Sequence, residues 1–121
     1  MLTVAFLILA AVVLMGTALA ILHAHGQGSV PWPFGVVHGL AGFGGFGCLV
    51  LALQGPPRGL AQGTASFGMI GAVLIALAAL AGLAIFAAFR MKRRRAGTLI
   101  GIHATLAVCG FVILAAYVFA E

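Results

Sequence analysis

Four long apolar segments joined by short connections constrain this chain more than any other feature. They run from Leu2 to Leu22, Phe34 to Leu53, Ser66 to Phe89 and Thr98 to Ala120, and none has a charged residue in its interior. Each is close to the roughly 20 residues that a helix needs to cross a hydrocarbon core of about 30 Å. Because unpaired backbone groups cost several kcal/mol in lipid, and the alternation typical of barrel strands is absent, the segments are predicted to be helices.

The composition excludes an ordinary soluble domain. Hydrophobic residues make up 64% of the chain and charged residues 6%, against roughly 25% charged residues in soluble proteins. The first segment contains Ala18-Leu19-Ala20, which resembles a signal cleavage site, but no basic residue precedes the apolar run. We therefore expect a retained first helix and an all-α integral membrane protein. The predicted fold is a four-transmembrane-helix up-down bundle, a single domain over residues 1–121, in contact with the lipid bilayer.

The two halves of the chain match one another. Aligning Gly16 with Gly82 places the first apolar segment on the third, and a shift of one residue then places His38 on His103. Internal repeats of this kind determine the architecture. We therefore predict two pseudo-symmetric helical hairpins, each with one histidine in its second helix. The predicted boundaries are about 1–54 for the first repeat, 55–63 for the loop and 64–121 for the second repeat.

The basic residues indicate how the chain is oriented. Five of the six cations, Arg90 and Lys92 to Arg95, lie between the third and fourth segments, whereas Arg58 alone lies between the second and third. The positive-inside rule places the richer connection in the cytoplasm. We expect loops 23–33 and 90–97 to be cytoplasmic and both termini to lie outside the inner (plasma) membrane. This local charge indicates no nucleic-acid partner, and contact with anionic lipid is a secondary interpretation.

The matched histidines predict a cofactor site between the second and fourth helices. In an up-down bundle these helices are diagonal neighbours about 14 Å apart, so His38 and His103 can reach one metal ion. On each helix the face of the histidine continues through small residues. These are Gly42 and Gly45 on the second helix and Ala107 and Gly110 on the fourth. We expect each imidazole to stand above a groove that suits a planar ring.

A b-type haem with two axial imidazoles accounts for this pattern. Its propionates would lie near the basic connection, where Arg90, Lys92 and Arg93 would offset their charge. Chlorophyll or quinone are alternative occupants. Two histidines that only form hydrogen bonds with neighbouring helices explain the same pattern without a cofactor. His23 and His25, at the end of the first segment, are interpreted as interfacial residues, with contact to a quinone, a propionate or a metal as the alternative.

Two aromatic residues are predicted to be membrane-interface anchors. Trp32 lies between two prolines at the start of the second segment, and Tyr117 lies near the opposite end of the fourth. Amphipathic aromatic rings are enriched at the level of the lipid headgroups.

No catalytic arrangement is evident in the chain. The only acidic side chain is that of Glu121, and no serine or cysteine lies beside a histidine in a motif-like arrangement, so an enzyme and a soluble substrate are not expected. Two functions remain open. The chain is either a haem-carrying subunit of a larger respiratory or photosynthetic electron-transfer complex, or a cofactor-free accessory subunit that stabilises larger membrane partners. In architecture and paired histidines alone, it resembles small four-helix b-type cytochromes.

Overall fold

Four α-helices make up the regular structure of the computed structural model, which describes residues 1–25, 32–91 and 96–120. The helices are α1 (Leu2–Ala24), α2 (Trp32–Ala52), α3 (Phe67–Arg90) and α4 (Ala96–Val118). Each is long and apolar enough to cross a membrane. The prediction of an all-α bundle with the helices of a multi-pass membrane protein is therefore confirmed.

The four helices are arranged around the bundle axis in the order of the sequence. Helix α1 packs against α2 and α4, and α3 packs against α4 and α2, so α2 and α4 face each other across the bundle diagonal. Contacts are closest within the two sequential hairpins, α1 with α2 and α3 with α4, and sparser between the hairpins. Because the histidines lie on the diagonal pair, they approach each other across the boundary between the hairpins.

Helix α2 begins earlier than its apolar run does. Its first residue is Trp32, two positions before the predicted start at Phe34, and Pro33 occupies the first turn. Proline is tolerated there because the N–H groups of a first turn have no partner within the helix. The Trp32 side chain is 74% exposed, which suits the predicted position at a membrane interface.

The apolar core occupies one half of the bundle. We call the N-terminal halves of α1 and α3 and the C-terminal halves of α2 and α4 the core half, and the remainder of the helices the histidine half. The central buried cluster lies wholly in the core half, and consists of Ala5, Leu9, Leu49, Ala72, Ile75, Leu114 and Tyr117. Among the described residues of the histidine half, only Ala88 is buried. The two halves therefore differ sharply in how many of their side chains the chain buries.

The loop between α2 and α3 closes the end of the core half. The backbone N–H of Arg58 donates to the hydroxyl of Tyr117 at 3.4 Å, and the Arg58 guanidinium donates to the carbonyl of Ala120 at 3.4 Å. Gly59 is buried beside them with a φ of +69°, a conformation that glycine adopts without steric cost. These contacts fasten the loop to the end of α4.

The prediction that Tyr117 anchors the chain at the membrane interface is wrong. Its side chain is 5% exposed, and a Cβ atom at position 68 would lie 2.9 Å from its ring. The tyrosine therefore packs inward against Gly68 of α3, and the loop supplies the hydrogen bond that its hydroxyl needs when buried.

Candidate functional site

The imidazole rings of His38 and His103 meet across the bundle diagonal. Their ring centroids are 6.0 Å apart and their planes are inclined by 77°. Both side chains are half-buried. The structure thus brings together the two histidines that the sequence repeat matched.

The other two histidines lie apart from this pair, at the end of α1. The ring of His23 packs edge-on against Phe89 with centroids 5.9 Å apart. The Nδ1 atom of the exposed His25 donates to the carbonyl of Ile21 in its own helix at 2.8 Å. Neither contributes to the diagonal site.

Each ring of the pair is seated on a glycine from the first helix of its own hairpin. A Cβ atom at position 16 would lie 2.8 Å from Cε1 of His38, and one at position 82 would lie 3.3 Å from Cε1 of His103. Real Cβ atoms essentially never come within 3.0 Å of another heavy atom. An alanine at Gly16 would therefore displace the imidazole, and one at Gly82 would crowd it.

The hydrogen bond of His103 assigns its tautomer. Its Nδ1 atom lies 2.7 Å from the carbonyl oxygen of Ala78 on α3. Because a carbonyl only accepts, the proton of this bond is on Nδ1, and in the neutral ring Nε2 is left with a free lone pair. A histidine that binds a metal through Nε2 commonly has this arrangement, since the bond at Nδ1 orients the ring.

His38 has a corresponding neighbour but no completed bond. Its ring lies near the backbone of Val12 on α1. Its Nδ1 atom is nevertheless buried and has no hydrogen-bond partner. An unsatisfied buried polar atom costs about 1–3 kcal/mol, so a rotation of the ring that brings Nδ1 to an acceptor would relieve this cost.

The spacing of the pair suits one metal ion held from both sides. With metal–nitrogen bonds of about 2 Å, two imidazoles that bind one ion from opposite sides have ring centres roughly 6 Å apart. The observed distance between the ring centroids is 6.0 Å. Ligation requires His38 to turn, because its Cε1 atom now faces Gly16. Among the described residues, no group of three or more His, Cys, Asp or Glu side chains is placed to hold a metal.

Two of the predicted cofactor-binding glycines face helices rather than open space. A Cβ atom at Gly45 would lie 2.9 Å from Cγ2 of Ile8, and one at Gly110 would lie 3.0 Å from Cγ1 of Ile75. The expected open groove is therefore closed at these positions, and that part of the prediction is corrected. The reason is that the antiparallel helix of the same hairpin packs onto each small-residue face.

The remaining small residues of these faces lie nearer the rings. A Cβ atom at Gly42 would make an ordinary contact of 3.6 Å with Cγ1 of Val12. Ala107 is half-buried, one helical turn from His103. Their contact with a cofactor stays a prediction.

The packing of Gly45 leads to a stability prediction with a matched control. We expect Gly45→Ala to lower the free energy of unfolding by about 1–3 kcal/mol, since the added methyl group overpacks the contact with Ile8 and Leu9. The adjacent Gly44→Ala should be neutral or slightly stabilising, because a Cβ atom there meets nothing within 4 Å. Thermal unfolding in detergent compares the two variants. Equal loss of stability in both would contradict the close packing at Gly45.

Of the predicted cationic residues, Arg90 is within the described part of the chain. It is exposed at the end of α3, where with Trp32 and Phe86 it lines a shallow cleft of about 140 Å³. It lies eight residues beyond Gly82, which is about 12 Å along the helix axis at 1.5 Å per residue. Lys92 and Arg93 lie outside the described residues.

Sequence reasoning matched Gly16 with Gly82 but assigned neither of them to the site. The signal was present, because the repeat that pairs the histidines also pairs these two glycines in the preceding helices. It also pairs Val12 with Ala78, the residues near whose backbones the two rings lie.

Comparisons of the chain with protein families, with curated proteins and with solved structures gave no match.

Proposed function

We propose that this protein is a small integral membrane subunit of a larger electron-transfer complex, respiratory or photosynthetic, and that His38 and His103 are the axial ligands of one b-type haem. The observation that carries the proposal is the pair itself, with ring centroids 6.0 Å apart at the boundary between the hairpins. When bound, haem supplies a one-electron redox centre. The chain would hold the iron and surround the ring with apolar helices.

The uneven packing of the bundle supports this proposal. The chain buries its core in one half and, among the described residues, only Ala88 in the other, so the side chains around the histidines are less enclosed by the chain itself. Contacts between the hairpins are sparser than those within them, so a flat ring has its easiest entry at that boundary. Chlorophyll would use the same histidines, whereas a quinone would need them only as hydrogen-bond partners.

The arrangement of the site also supports the proposed pseudo-symmetry. Each hairpin supplies a glycine from its first helix and a histidine from its second, Gly16 with His38 and Gly82 with His103. A duplicated hairpin that delivers two equivalent ligands to one ion is a simple origin for such a site. The repeat is therefore part of the proposal.

The charge distribution supports an orientation for the proposed haem. We place the histidine half towards the cytoplasm, because α3 ends at Arg90 on that side and four further basic residues follow in the sequence. Arg90, Lys92 and Arg93 would then offset the two propionates. The sole acidic side chain of the sequence, that of Glu121, lies outside this basic segment.

Absorption spectroscopy of the protein purified in mild detergent tests the proposal. We expect oxidised and reduced spectra of a low-spin b-type haem, and co-purification of larger membrane subunits. A chlorin spectrum would change the cofactor, and the absence of any visible chromophore would overturn the haem assignment. A haem-loaded chain that elutes alone would overturn the assignment to a complex.

A second function is favoured by the hydrogen bond between His103 Nδ1 and the carbonyl of Ala78. This bond satisfies the histidine within the bundle, as expected for a cofactor-free accessory subunit. The open glycine faces of α2 and α4 would then pack against partner helices, because Cβ atoms at Gly35, Gly39, Gly97 and Gly101 meet nothing within 4 Å. A protein without a chromophore that co-purifies with a larger complex would support this second function.

A further inference from the structure

We infer that Gly16 and Gly82 are positioning residues, each of which uncovers a helix carbonyl to which an imidazole donates its Nδ1 proton, so that Nε2 is the nitrogen presented to a ligand. The identity of the ligand, a haem iron, rests on the proposed function. The assignment of the tautomer and of the two glycines rests on the geometry of the bundle alone.

The spacing of the residues explains why glycine is needed. In an α-helix the carbonyl of one residue points towards the residue four positions later, whose side chain leans back over that carbonyl. Ala78 and Gly82 have this spacing, as do Val12 and Gly16. A glycine at the later position leaves one side of the carbonyl open to a group from the next helix, and a carbonyl oxygen has a second lone pair with which to accept.

His103 shows the complete arrangement. Its Nδ1 atom lies 2.7 Å from the Ala78 oxygen and would lie 3.4 Å from a Cβ atom at position 82. Any larger side chain at that position would occupy the space through which the imidazole reaches the carbonyl. Nε2 lies beyond 4 Å from that Cβ position and is therefore the nitrogen farther from α3.

His38 has the same elements without the completed bond. Its ring lies near the backbone of Val12, but a Cβ atom at Gly16 would be 3.5 Å from Nε2 and 3.6 Å from Nδ1, and Nδ1 has no partner, so the ring must rotate before Nδ1 can reach the Val12 carbonyl. The inference is that His38 forms the equivalent bond to the Val12 carbonyl when its Nε2 binds the ligand. His103 is then the pre-oriented member of the pair, and His38 is the member that turns.

Nitrogen-15 NMR of the imidazoles tests the inference on the haem-free chain of residues 1–121 in lipid nanodiscs. The nitrogen shifts separate a ring protonated at Nδ1 from one protonated at Nε2. We expect the Nδ1–H tautomer for His103 in the parent protein and its loss in Gly82→Val. The control Gly101→Val lies on the same helix as His103, where a Cβ atom meets nothing within 4 Å, and should keep the Nδ1–H signal. An Nε2–H tautomer of His103 in the parent would overturn the inference without any variant.

A second measurement separates this inference from the haem proposal. If the parent has the Nδ1–H tautomer but no chromophore, the inference stands and the haem proposal fails. If haem is present, Gly16→Val should lower haem occupancy more than Gly39→Val, since only the former clashes with a histidine ring. Equal occupancy in these two variants would overturn the positioning role of Gly16. Should Gly82→Val fail to fold, Gly82→Ala, whose Cβ atom would lie 3.3 Å from the ring, should still reduce the Nδ1–H signal.

Discussion

Replacing either His38 or His103 with alanine should abolish the low-spin haem spectrum of the purified protein. Each histidine would supply one of two axial bonds to the iron, and the described part of the chain has no cluster of alternative ligands at the site. With a single remaining imidazole, one axial position of the haem iron would be empty or filled by a weaker ligand, and the spin state of the iron would change. Absorption spectra of the oxidised and reduced proteins, scaled to protein concentration, measure the loss.

The matched controls are His23→Ala and His25→Ala. His23 packs on Phe89 and His25 bonds to Ile21, both away from the diagonal pair, so both variants should retain the spectrum. If His103 has only a structural role, His103→Ala should instead cost about 0.6 kcal/mol of stability, and at most about 2, as expected for one interhelical hydrogen bond. A haem spectrum that survives both His38→Ala and His103→Ala would refute axial ligation by this pair.

The architecture was accessible from sequence because lipid restricts the choices so strongly. Four uninterrupted apolar runs of membrane-spanning length can form only helices, and short connections make successive helices antiparallel neighbours. That topology alone sets α2 diagonal to α4, and the periodicity of the helix sets His38 and His103 at similar depth. The meeting of the two rings was therefore predictable from the repeat.

Which neighbour covers each helix face was not predictable in the same way. The face of α2 that holds His38 and Gly45 was correctly identified as rich in small residues, but periodicity does not say what packs on it. In the structure Ile8 and Leu9 of α1 fill the space over Gly45. The packing of Tyr117 shows the same limit, since its inward orientation depends on Gly68 of another helix.

The concentration of the core in one half was also hidden from sequence. All four helices are apolar throughout, so hydropathy does not distinguish side chains in the core from side chains in lipid. In water an apolar face identifies the core, but in a membrane both environments are apolar. Only the three-dimensional packing shows that the side chains of the histidine half are mostly not buried within the chain, and this supports the proposal that a cofactor or a partner helix covers them.

A reporter fused after Glu121 should lie outside the cytoplasm, and one inserted in the connection between α3 and α4 should lie inside it. The basis is the asymmetry of the basic residues, of which five lie between α3 and α4 and one, Arg58, lies between α2 and α3. An alkaline phosphatase fusion, active only outside, and a fluorescent protein that folds only inside should give opposite results at the two positions. Replacing Lys92 to Arg95 with glutamine should weaken the preference for one orientation and produce mixed topology. One arginine would then remain in each of the two connections, Arg90 at the end of α3 and Arg58 after α2. A cytoplasmic reporter after Glu121 would reverse the orientation, and would place the paired histidines and the proposed haem near the outer face of the membrane.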